Sequence, residues 1–184
     1  MKSKGIVKID EVGRLVIPKE IRNMLNLKDK LVEAYVENDR LIIRRYAPLR
    51  FCHQLVKDLC GKVGELSGYI CFAGDLNYIT EVSSSVLSFL KDKQTSYPLK
   101  QKLKEGQAVS INASEGVVLI PLTDGEEFEY YSLCLLPLND ESTCVGFFGL
   151  ISLDQTSNFG EKEIYILNVA KELFLSALKH EKNK

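Results

Sequence analysis

The 184-residue chain is 45% apolar and 27% charged, with a net charge of −1, the balance of a globular protein and not of a disordered or fibrous one. No apolar run approaches the ~20 residues that span a bilayer, and no signal-peptide pattern opens the chain, so no membrane role and a cytoplasmic address are expected. The charge is uneven: residues 1–47 hold eleven Lys/Arg against seven Asp/Glu, a balance of +4, and the remainder thirteen against eighteen, −5, as when one segment meets an anion and the other does not.

In chain order, "GIVKI" (5–9) is β-rich and "DEVGR" (10–14) supplies a turn with Gly13 where a positive φ is tolerated. "RLVI" (14–17) is again strand-like. Pro18 suits the first turn of a short helix, in which Ile21, Met24 and Leu25 share one apolar face, and Asn26 suits its end. "LVEAYVE" puts Val32, Ala34 and Val36 on one side and Glu33, Tyr35 and Glu37 on the other. Asn38-Asp39 is a tight-turn pair, and "RLIIRRY" returns as the partner strand. Pro48 closes the segment. With about 47 residues and neither a disulfide nor a metal site, such a module buries too little surface to stand alone, so its strands are expected to interleave with those of a second chain.

The grammar then changes. Cys52, Leu55, Val56, Leu59, Cys60 and Val63 recur at helical spacing. Strand-like runs follow in "SGYICFA", "NYITEV", "QAVSI", "GVVLIPL", "YYSLCLLPL" and "CVGFFGLISL", with a helical "SSSVLSFLKDK" after the second. A long helix is expected from Glu161 to about His180, with Phe159 and Ile164 as a hydrophobic staple and Glu163 as a capping acid. Its apolar residues cover more than one stripe, enough to pack on its own sheet and on a helix of another chain. The expected class is α+β, a mostly antiparallel sheet flanked by helices behind a β-rich first segment.

Chemistry-bearing residues are sparse. The five cysteines (Cys52, Cys60, Cys71, Cys134, Cys144) are odd in number and lack CxxC spacing, and the two histidines, His53 and His180, are far apart. Reduced, mostly buried thiols and no metal site are expected. The acids of "TDGEEFEYY" lack calcium-loop spacing. With no nucleophile–base set, phosphate-cradling glycine loop or paired-carboxylate motif, no catalytic residue is assigned and no enzymatic activity is expected. Tyr69, Phe72, Tyr78, Tyr130, Phe147 and Phe148 could line a pocket or fill a core.

"MKSKGIVKIDEVGRLVIPKEIRNMLNLKD" followed by "LVEAYVENDRLIIRRY" resembles the AbrB family of swapped-hairpin transition-state regulators through the pattern GR-x-VIP-x-E-[IL]-R. The second part is GAF-like in length, order and element pattern. The resemblance implies two domains, a swapped-hairpin dimerisation and DNA-binding domain over 1–47 and a GAF-like domain over 48–184. It implies a sequence-selective regulator acting on double-stranded DNA in sporulation-type gene expression. The implied DNA contacts are Lys8, Arg14 and Arg22, with Lys2 and Lys4 as a basic arm. Arg14 offers a planar fork suited to phosphate or to guanine N7 and O6, and Lys8 a point charge suited to phosphate. Two departures thin this charge: "GIVKID" has one basic residue where the family has two and is one residue shorter, and Asn23 stands where a second helix arginine is usual. The GAF-like domain would sense a small molecule, whose identity is unknown, or join dimers into tetramers through its helices. Alternatives are an antitoxin-like interaction protein, which uses the same hairpin module, and a thiol-dependent GAF-fold enzyme.

Overall fold

The computed structural model describes residues 8–25, 27, 32–125, 128–140 and 143–182. The chain divides between Tyr46 and Ala47 into two compact units.

In the N-terminal unit a six-residue helix α1 (Lys19–Met24) precedes strands β1 (Val32–Glu37) and β2 (Arg40–Arg45). The strands form an antiparallel hairpin closed by the pair Glu37 and Arg40. Its two turn residues, Asn38 and Asp39, have φ of 48° and 59°, the double left-handed geometry that matches strand twist and that Asn and Asp tolerate. Pro18 stands just before α1 as its N-cap, one place earlier than the spacing suggests. Asn26 lies outside the described residues.

Of the two strands expected before α1, the described residues 8–17 form no ladder. Residues 5–7 lie outside the described set, and the remainder makes one isolated bridge, Ile9 to Leu15. A strand needs a neighbour to accept its backbone bonds, and the described residues of this unit supply none beyond that bridge. Burial tells the same story: Leu27 is the one buried residue among those described in the unit, while Ile9, Val12, Val16 and Val36 are all exposed.

The C-terminal unit opens with a short helix α2 (Pro48–Phe51), so Pro48 starts an element at its first turn where it was expected to close one. Helix α3 (His53–Ser67) follows and ends at Gly68. A five-stranded antiparallel sheet takes the order β4-β3-β7-β6-β5, from β3 (Ile70–Gly74), β4 (Ile79–Val82), β5 (Val109–Asn112), β6 (Ser132–Asp140) and β7 (Thr143–Ser152). Helices α3 and α5 (Glu161–Lys182) pack together and on the sheet; between β4 and β5, helix α4 (Tyr97–Lys104) meets β6 and β7. The strands β6 and β7 are buried along nearly their whole length. Burial on both faces is why "LCLLPL" and "VGFFGLIS" are continuous apolar runs and do not alternate. Phe72, Phe147 and Phe148 are therefore core: Phe72 meets Phe147 edge-on at 5.5 Å, and Phe148 meets Phe174 of α5 at 6.1 Å.

Two expected elements are replaced. "SSSVLSFLKDK" gives only a 3-10 turn, Ser88–Leu90, because serine side chains take local backbone partners: Ser84 Oγ accepts from Val86 N at 3.2 Å and Ser88 Oγ donates to Ser85 O at 2.8 Å. Such bonds compete with the helix. "GVVLIPL" is irregular and not a strand. Two of its carbonyls accept from side chains, Pro121 O from the Ser96 hydroxyl and Ile120 O from the Tyr130 hydroxyl. Helix α4 has no counterpart in the sequence reading, although Ser96 caps it by accepting from Leu99 N at 3.1 Å, with a proline in its first turn. The start of α5 follows expectation, with Glu163 Oε2 accepting from Gly160 N at 2.9 Å.

Candidate nucleic-acid interface

The turn at 10–14 is built by one aspartate. Gly13, at φ +82°, reverses the chain, and Gly13 N donates to Asp10 O at 2.9 Å while Asp10 N donates to Arg14 O at 3.0 Å. The Asp10 side chain then closes the loop from within. Its Oδ1 accepts from Val12 N at 3.0 Å and from Arg14 N at 2.8 Å. Its Oδ2 accepts from Arg14 Nε at 2.7 Å. Short polar side chains that bond the backbone two and four residues on are the usual device for such turns. These bonds, the Arg14 amide first and then its guanidinium, hold the Asp10 carboxyl below its ordinary value.

The Arg14 side chain is 76% exposed. Lys8 is exposed and precedes Ile9, whose bridge to Leu15 closes the mouth of the same turn. Arg22 is exposed in the last turn of α1, where a cation is favoured by the helix dipole. Thus Lys8 and Arg14 share one turn and Arg22 sits on the following helix. Lys2 and Lys4 lie outside the described residues. On the hairpin, Arg44 Nε meets Glu33 Oε2 at 2.5 Å and its guanidinium stacks over Tyr35 at 5.2 Å, a cross-strand pair at the register Glu33 to Arg44. Sequence reasoning assigned the cations but no role to Asp10. Its signal was the spacing D-x-x-G-R, an Asx-turn acid four residues before the arginine.

The C-terminal unit contains a cavity of about 410 Å³ between the 113–122 segment and residues 128–131, lined in part by Leu119, Leu122, Phe128 and Tyr130. Burial pushes the Tyr130 phenol well up. The cysteines are free thiols. Cys60 of α3 and Cys71 of β3 are both fully buried, and the neighbouring Cys71 thiol together with burial raises Cys60; burial lifts Cys134 to about 12. Raised thiols are poor nucleophiles. Away from the cavity lining, His53 Nε2 and Lys91 Nζ lie 3.3 and 2.8 Å from Glu81 Oε2. Among the described residues no three His, Cys, Asp or Glu side chains converge as metal ligands would, and no helix is long and apolar enough to cross a membrane.

Residues 6–51 match the family of the antidote-toxin recognition protein MazE, a bacterial antitoxin. Stage V sporulation protein T of Bacillus subtilis is 28% identical over 166 residues, 89% of this chain and 90% of that protein. The transition state regulatory protein AbrB of the same organism is 46% identical over 54 residues, covering 28% of this chain and 56% of its own length. Solved structures that share the C-terminal fold include the GAF domain of an Acinetobacter phosphoenolpyruvate-protein phosphotransferase (TM-score 0.54, 14% identity, 74% of this chain, 93% of that one). The PixJ GAF domain of Thermosynechococcus elongatus is another (TM-score 0.57, 12% identity, 76% and 94%).

Proposed function

We propose, on the premise that this chain joins a MazE/AbrB-type N-terminal domain to a GAF-like domain, that it is a sequence-selective regulator of transcription which binds double-stranded DNA and has no catalytic role of its own. The observation that carries this reading is the state of the N-terminal unit. Its cations Lys8, Arg14 and Arg22 are exposed, while among its described apolar residues Leu27 alone is buried and Ile9, Val12, Val16 and Val36 are exposed. A second copy that covers Ile9, Val12, Val16 and Val36 would supply the missing core and double the cationic positions presented to a duplex. Phosphate contacts would then give affinity and register, and Arg14 would supply base reading. The similarity to a sporulation protein and a transition-state regulator makes gene expression in sporulation the expected setting.

The GAF-like unit has two finer roles in this proposal. Its cavity of about 410 Å³ lies in the range of small-molecule sites, so a metabolite is a candidate effector. Helix α5 leaves Tyr165, Val169 and Leu173 exposed at i, i+4 and i+8, a stripe on which two dimers could join as a tetramer. Joining two DNA-binding units raises the local concentration of the second.

The test is a duplex titration with the full chain at several salt concentrations. Affinity should fall steeply with salt, and Arg14→Ala should weaken binding. Salt-independent binding, or an unchanged Arg14→Ala, would sink the proposal. The family match at 6–51 also favours a second reading, an antitoxin-like module that captures a protein partner. The ordered α+β unit that follows β2 stands where that reading needs a wrapping tail, and an absence of DNA binding beside a tight protein partner would favour it.

A further inference from the structure

We propose that Asp10 is the residue that sets DNA specificity, by positioning Arg14. The inference rests on the DNA-binding reading above and goes beyond it. A guanidinium has two ways to make a bidentate contact: through Nε with one terminal nitrogen, or through its two terminal nitrogens. Asp10 Oδ2 occupies Nε at 2.7 Å, so the first is taken. Oδ1 fixes the root of the same side chain through Arg14 N at 2.8 Å, and the turn itself through Val12 N at 3.0 Å. What remains is an end-on fork, held at both its base and its neck by one carboxylate, with the side chain 76% exposed beyond it. Such a fork matches the paired acceptors of a guanine edge in the major groove.

The same carboxylate carries a negative charge beside a cation meant for a polyanion. It costs affinity for every duplex alike through repulsion of phosphates, and it lowers the entropy lost when the fork docks on the right base. Asp10 therefore trades indiscriminate attraction for choice. A turn residue of purely structural role would change neither quantity once the turn survives.

The experiment compares affinities of the full chain for two probes: the duplex enriched by the wild-type protein from a randomised pool, and a scrambled duplex of the same base composition. Wild-type binding that is salt-sensitive but enriches nothing defeats the sequence-selective reading itself, separately from the role of Asp10. Asp10→Asn keeps an acceptor for Val12 N and Arg14 N but removes the charge at Nε. It should lower the preference for the enriched duplex about tenfold while binding the scrambled duplex as tightly as wild type or tighter. Arg14→Ala should lose the same preference, and the double variant should lose no more than Arg14→Ala alone, since one fork is being removed twice. If Asp10→Asn does not fold, Arg14→Lys keeps a cation beside Asp10 without a fork and should show the same loss. An unchanged preference in Asp10→Asn, or in Arg14→Lys where that variant stands in, overturns the proposal, as does full additivity with Arg14→Ala.

Discussion

Leu49 of α2, fully buried, lies against Gly146 of β7, and a Cβ on that glycine would sit 2.4 Å from Leu49 Cδ1 and 2.6 Å from Gly74 O. The first helix of the C-terminal unit is thereby seated in a notch that only a residue without a side chain leaves open. Gly146→Ala should destabilise this unit by about 1–3 kcal/mol through overpacking, because the backbone oxygen cannot move aside. A thermal melt of the full chain checks it, and an unchanged midpoint of the C-terminal transition would show that α2 is not held there.

Asn112 ties β5 to the entry of α5. Its Oδ1 accepts from Phe159 N at 2.7 Å, and its Nδ2 donates to Phe159 O at 3.0 Å and to Glu115 Oε1 at 3.1 Å. Asn112→Ala leaves the buried Phe159 amide without its acceptor and should cost about 1–3 kcal/mol. Asn112→Asp keeps that acceptor but sets a carboxylate beside Phe159 O and Glu115. It should be destabilised at neutral pH and recover on mild acidification, a pH response that Asn112→Ala lacks.

Thiol burial makes stability fall in alkali. The native Cys134 thiol holds its proton to about 12, against an ordinary 9.0, because burial disfavours the thiolate, with Glu163 adding to the effect. Cys60 and Cys144 are raised as well. Between those two values the unfolded chain binds fewer protons than the native one, so stability is fully present below 9.0 and declines as pH rises toward about 12. Denaturation midpoints under reducing conditions should be level near neutrality and fall with pH above the ordinary thiol value. Cys134→Ala should show a shallower fall.

Val36 is 74% exposed on the hairpin. In a chain that worked alone, Val36→Asp would be nearly silent, as surface changes usually are, within about 0.5 kcal/mol. If a second copy covers that strand, the charge lands in an interface core, and the variant should have a lower assembly mass and weaker duplex binding. Mass measurement of the intact assembly, alone and with a duplex, reads both.

Legibility in the sequence followed the range of the forces involved. The hairpin was readable because Asn38-Asp39 sets its own turn geometry, and so were β6, β7 and α5, whose apolar runs answer to burial whatever lies against them. The Gly13 turn and the exposed Arg14 could be found the same way, since both are local. The strand expected at "GVVLIPL" and the helix expected at "SSSVLSFLKDK" were lost to hydroxyls that satisfy backbone groups in another way, Ser96 and Tyr130 from distant positions and Ser84 and Ser88 nearby. Helix α4 carried its signals in Ser96 and Pro98, yet its two buried residues, Leu99 and Leu103, are too few to announce a period.

By itself, then, the order of residues determined a two-part protein: a cationic, undersized β-rich segment in front of an α+β domain of buried strands. Composition, turn chemistry and periodicity act over a few neighbouring residues, and those were enough. Only the tertiary structure decided that Leu49 docks in the space left by Gly146, that Cys60 meets Cys71, and that the Asp10 carboxylate closes on the Arg14 guanidinium. Each is a meeting of side-chain atoms in three dimensions, set by angle and distance, and spacing along the chain carries neither.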